Sequence, residues 1–146
     1  MEQQKRLTLL CRVLIGLVLI SNLIAAITFM VNPQAYEAGF ELAGVPGMAV
    51  IIGTGILFLM WQVPYVFALT DPIGRFVSLL EAIIMQTIGL LGESLLYSKI
   101  DLTYTTLRSS IARFILFDGL GLVLLIIAWA IAAKVRENRS TGGLNV

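Results

Sequence analysis

Four apolar stretches, each long enough to cross a bilayer and separated by short polar punctuation, leave this chain few folds to choose from. A spanning helix needs about 20 mainly apolar residues, and the stretches 7–31, 45–69, 76–97 and 109–133 meet that length. Lipid offers no partner to backbone N–H and C=O groups, so stretches of this kind must be helical. The expected fold is all-α, a single four-transmembrane-helix bundle followed by a loose polar tail over 134–146. Of the 146 residues 58% are apolar and 13% charged, against about 45–50% and about 25% in soluble domains.

The punctuation supports that division. Asn32-Pro33 closes the first span, because proline disfavours helix in the residue before it. The first apolar run exceeds the ~7–15 residues of a signal-peptide core, and no small-x-small cleavage site precedes Pro33, so it reads as a retained helix. Pro46 falls near the start of the second span, where a missing N–H is harmless. Pro64 should kink or end that helix. Asp71 is placed to cap the third helix, with Pro72 at its first position. Gly53-Thr54-Gly55 offers a smooth patch for close helix approach.

Basic residues set the expected orientation. Lys5, Arg6, Arg12, Arg75, Lys134, Arg136 and Arg139 all fall on one side of a four-span bundle. The connection 32–44 carries Glu37 and Glu41 but no Lys or Arg. The positive-inside rule then places both termini in the cytoplasm, as for a multi-pass protein of a bacterial-type inner membrane. The net charge of +1 provides no basic field for nucleic acid.

Absences narrow the chemistry. There is no histidine, which excludes His-ligated haem, a histidine zinc site and a histidine proton shuttle. Cys11 is the single cysteine, so neither an internal disulfide nor a C-x-x-C redox pair forms. It is expected to pack as a small apolar residue.

The polar residues within the spans carry what functional signal there is. A charge near the bilayer centre costs about 2.5–3.5 kcal/mol on insertion scales, so each needs a partner or a wet cavity. Counting about 1.5 Å per residue puts Arg12 and Glu81 at similar depth near the cytoplasmic side, with Gln62 close by, and predicts an Arg12–Glu81 ion pair. Asn22, Gln86 and Asp118 fall near mid-depth. Reflecting the third span onto the fourth sets Gln86 against Asp118, an amide facing a carboxyl, and sets Glu93 against Arg113. Gly89 and Gly92 lie beside the Gln86–Glu93 face and would let the fourth helix close in. These groups either lock the helices in register or line a polar pocket. Trp61, Tyr65, Tyr97, Tyr104 and Trp129 lie near span ends, as interfacial belts require.

The layout resembles the DoxX-like group of small bacterial four-helix membrane proteins. The resemblance rests on Asn32-Pro33 after the first span, Gly44-x-x-Gly47 at the start of the second and Asp71-Pro72 before the third, and covers about 9–133. It implies the four-helix fold and, for some members, quinone-dependent sulfur oxidation. No catalytic residue carries over. The segments Phe58 to Tyr65 and Met85 to Glu93 are more distinctive, with no role attached.

The leading expectation is a non-enzymatic accessory or scaffold subunit of a membrane assembly. It would present small-residue faces, Ala49/Gly53 and Ala128/Ala132, to another copy or a larger complex. The alternatives are a lipid- or quinone-binding protein with an intramembrane polar pocket and a proton-coupled transporter switching on Glu81, Glu93 or Asp118. A membrane isomerase or hydrolase using Glu93 with Asp118 ranks last, because no nucleophile–base motif is present. No cofactor is expected beyond a bound quinone or lipid.

Overall fold

The computed structural model describes residues 2–142, and among them the regular structure is entirely helical. Helix α1 spans Glu2–Val31, α2 Gln34–Glu37, α3 Gly44–Trp61, α4 Val63–Thr70, α5 Phe76–Lys99 and α6 Thr105–Gly142. Four segments are long and apolar enough to cross a membrane: α1, α3 with α4, α5, and α6 as far as Arg139.

The outer surface of the bundle suits lipid better than water. Leu17, Ile20, Ile24, Val50, Leu91, Leu120 and Val123 are all exposed around the middle of the helices. Contiguous apolar surface of this kind is rare on soluble monomers. Inside, the continuous core gathers Cys11, Ile15, Tyr65, Ala68, Leu79, Ala82, Leu125, Ala128, Ala132 and Val135. All of these lie in the half of the bundle next to the two termini and the α4–α5 connection. Cys11 is buried as expected and its thiol donates to the Ala128 carbonyl.

Several boundaries differ from the sequence reading. The fourth helix continues to Gly142 rather than fraying after Ala133. Buried Val135 extends its apolar seam one turn past Ala132, so packing carries the helix into the polar sequence; residues 143–146 of the expected tail lie outside the described residues. Asp71 does not cap the third helix. Its carboxylate accepts from the Gly74 N–H at 3.0 Å, closing a separate turn over Asp71–Gly74, and α5 starts only at Phe76, so Pro72 is not its first residue.

Pro64 does interrupt the second span. The Gln62 N–H reaches only the Leu59 carbonyl, at 3.1 Å, and α3 gives way to α4 there. α4 packs on α5 and α1, whereas α3 packs mainly on α1. The break therefore leaves a cleft between α3 and α5 in the half of the bundle away from the termini. Of the two glycines in the Gly53-Thr54-Gly55 patch, only Gly55 makes a close approach: a Cβ there would sit 2.8 Å from the Ala26 carbonyl oxygen. Ala128 and Ala132 are fully buried within this chain, so that face is spent on the bundle's own core and offers nothing to a partner.

The connection between α1 and α3 folds back over the end of the bundle. After α2, a 3-10 turn over Ala38–Phe40 ends at Glu41, and the chain reverses with Glu41 and Gly44 at positive φ. Tyr36 and Phe40 pack on Phe29, with ring centroids 4.6 and 6.1 Å away. Ser110 of α6 donates to the Gly39 carbonyl, and the Leu107 N–H donates to Glu41 at 3.2 Å. At the other connection, Arg108 donates to the carbonyls of Tyr97 and Ile100 at 3.0 and 2.7 Å, capping the C-terminus of α5 where a cation is favoured.

Candidate functional site: a polar cavity between the helices

Burial drives polar side chains to find one another, and two linked sets result. The Tyr65 hydroxyl donates to Gln86 Oε1 at 2.6 Å and lies 3.2 Å from the Ala82 carbonyl. Gln86 Nε2 in turn donates to Asp118 Oδ1 at 2.9 Å. This chain ties α4 to α5 to α6. Separately, Asn22 Nδ2 donates to Gln62 Oε1 at 3.3 Å, and Gln62 Nε2 donates to the Phe58 carbonyl at 2.9 Å. Asn22, Gln62, Tyr65 and Gln86 are all buried.

These two sets line one cavity of about 290 Å³, together with Glu93, Phe58, Trp61 and Phe117. Its remaining wall is α5, through Met85, Ile88, Gly89 and Gly92. Ile88 is largely exposed on the bundle surface, so the cavity lies under the cleft between α3 and α5. Glu93 Oε2 is buried there without a hydrogen-bond partner. Two glycines make the arrangement feasible. A Cβ on Gly89 would collide with the Asp118 carboxyl, and one on Gly121 would come within 2.8 Å of Gln86 Nε2.

Five of the eight polar residues singled out from the sequence thus meet at this cavity: Asn22, Gln62, Gln86, Glu93 and Asp118. The other three do not. The expected Glu93–Arg113 pair is absent, because Arg113 turns to the opposite side of α6 and donates to Ser110 at 2.9 Å. The expected Arg12–Glu81 pair is absent as well. Arg12 donates to the Thr70 carbonyl at 2.7 Å, capping α4, while Glu81 is exposed beside the buried Leu79–Ala82 face of α5. Gln62 joins Asn22 rather than that pair.

Tyr65 was missed as a site residue. Its position near a span end reads as an interfacial belt, yet only 2% of it is exposed. The break at Pro64 turns α4 inward and carries the ring into the core. The one available signal was Pro64 itself, one residue before Tyr65.

Among the described residues no group of His, Cys, Asp and Glu is arranged to hold a metal ion. The cavity offers acceptor oxygens on Glu93 and Asp118, amides already engaged with one another, and flat aromatic walls. Comparison with family models, with curated proteins and with solved structures found no match to this chain.

Proposed function

We propose that this is a multi-pass membrane protein that holds a lipid-soluble, ring-bearing molecule with hydroxyl groups, a quinol being the class that fits best. The single observation that carries the reading is the polar cavity beneath the α3–α5 cleft. At about 290 Å³ it lies near the lower end of small-molecule sites. Its mouth faces lipid rather than water, so its ligand arrives from the bilayer. The donors of Tyr65, Gln86 and Gln62 are already engaged within the protein, and what remains is an unpartnered carboxyl at Glu93 and the second oxygen of Asp118. A hydroxyl both donates and accepts, so it matches a carboxyl better than a bare carbonyl does. Phe58, Trp61 and Phe117 supply faces for an aromatic ring. The DoxX-like layout, with quinone-linked members, supports the same reading.

The placement of basic residues supports an orientation with both termini cytoplasmic, in a bacterial-type inner membrane. Lys5, Arg12 and Arg139 line one shared surface depression, so α1 and α6 bring their charges to the same end. Reagents that do not cross the membrane should label a cysteine placed at Glu41 but not one at Lys5, in a Cys11→Ser background.

The test of binding uses the full chain in detergent with Trp129→Phe, leaving Trp61 as the one tryptophan. A short-chain benzoquinol should quench Trp61 saturably, and Glu93→Gln or Asp118→Asn should weaken binding several-fold, the scale of one buried hydrogen bond. Quenching that is linear in ligand, or indifferent to both substitutions, would sink the proposal.

A second reading, as a scaffold subunit, draws support from the Ala49/Gly53 face. Ala49 is exposed and the space in front of Gly53 is open, so a second helix could pack closely there. Native mass spectrometry that finds only monomer would remove it.

A further inference from the structure

A second and larger cavity lies across the bundle, between α1 and α6 beneath the α1–α3 connection. Its volume is about 490 Å³. Most of its lining is apolar, with Ile24, Ala25, Phe29 and Phe114, while Ser21, Thr28 and Arg113 add polar groups. Phe117 lines both this cavity and the polar one.

Arg113 sits eight residues into α6, about 12 Å from its start. Among the described residues no carboxylate lies within ion-pair distance of it. Of the carboxyls within the spans, Glu93 and Asp118 line the other cavity, and Glu81 lies toward the opposite end of α5. The guanidinium instead reaches back toward the end of the helix and donates to Ser110 Oγ at 2.9 Å. Ser110 itself donates to the Gly39 carbonyl, so this bond links the exposed Arg113 side chain to the α1–α3 connection. A cation at this depth, with no counterion within ion-pair distance among the described residues, is favoured by an anion from outside. The apolar slot beside it has the character of a place for an acyl chain.

We propose that this cavity is a binding site for one anionic phospholipid. Its phosphate meets Arg113, and one acyl chain lies between α1 and α6. The leaflet is the one on the side of the α1–α3 and α5–α6 connections. This site is separate from the quinol reading and stands or falls without it.

Native mass spectrometry of the delipidated full chain, after incubation with phosphatidylglycerol or with phosphatidylethanolamine of the same acyl chains, tests the site. The expected result is one retained phosphatidylglycerol per chain, favoured about fivefold over phosphatidylethanolamine, the ratio that one basic residue near an anionic surface provides. Arg113→Gln should abolish the preference and Arg113→Lys should keep part of it. Ala25→Leu, which fills the slot and spares the cation, should lower retention of both lipids. Arg113→Gln should leave Trp61 quenching by quinol unchanged. Equal retention of the two lipids by the unsubstituted chain would overturn the proposal even if a variant fails to fold. So would phosphatidylglycerol preference that survives Arg113→Gln, or an inorganic phosphate adduct that displaces the lipid.

Discussion

Gln86 and Asp118 meet across the α5–α6 contact, amide to carboxyl at 2.9 Å, and Tyr65 secures the amide from its other side at 2.6 Å. The amide is thereby fixed in orientation, with its oxygen toward α4 and its nitrogen toward α6. Gln86→Leu removes all three bonds of the amide, those to Tyr65, to the Asp118 carboxyl and to the Asp118 backbone carbonyl. The expected loss is about 1–2 kcal/mol of stability, measured as unfolding in mixed micelles by circular dichroism. Tyr65→Phe deletes one bond only and should cost about 0.6 kcal/mol. Equal stability of Gln86→Leu and the unsubstituted protein would mean the chain of bonds contributes nothing.

Gly89 and Gly92 form a matched pair for testing close approach. A Cβ at Gly89 strikes the Asp118 carboxyl, while nothing lies within 4 Å of one at Gly92. Gly89→Ala should therefore destabilise by about 1–3 kcal/mol, as overpacking does, and should also weaken quinol binding by displacing Asp118. Gly92→Ala should leave stability unchanged. Thermal unfolding of the two variants side by side decides the matter.

The same contrast holds one helix away. Gly55→Ala forces its Cβ to 2.8 Å from the Ala26 backbone oxygen, which cannot move without shifting α1. Gly53→Ala meets open space. The first should lower the unfolding temperature and the second should leave it unchanged or raise it slightly, because alanine is the better helix former.

Acidification should loosen the α5–α6 connection before it disturbs the helices. Asp101 accepts from the Thr103 N–H and from its hydroxyl, both at 2.8 Å, and these bonds hold its carboxyl below the usual carboxylate range. A carboxyl depressed in the folded state stabilises the turn above its unfolded pKa, and that contribution is lost as pH falls through the lower folded value. The protection factor of the Thr103 amide, followed by NMR exchange and referred to the intrinsic rate at each pH, should fall on acidification, and Asp101→Asn should remove most of that dependence. A Thr103 amide equally protected throughout would contradict the assignment.

The division between what the sequence disclosed and what it hid follows from helix geometry. Span number and approximate length are properties of composition and survive folding intact. Gln86 against Asp118 could be read because a short loop fixes how α5 reflects onto α6. Glu93 against Arg113 failed because depth alone was matched. Arg113 and Asp118 are five residues apart, which turns α6 by about 140°. Gln86 and Glu93 are seven apart and share a face, so if one meets Asp118 the other cannot meet Arg113. Rotation about the axis, applied as strictly as depth, would have separated the pairs. Tyr65 was illegible for a different reason: its burial depends on how far the chain bends at Gln62–Pro64, and propensity gives no angle.

The solid packing around Cys11, Leu79, Ala128 and Val135 has a bearing on permeation. Neither hollow is lined by any of these four side chains, so a solute resting in either one meets close-packed residues on its way to the terminal end of the bundle. Vesicles containing the protein in this conformation are expected to hold a proton or potassium gradient as well as empty ones.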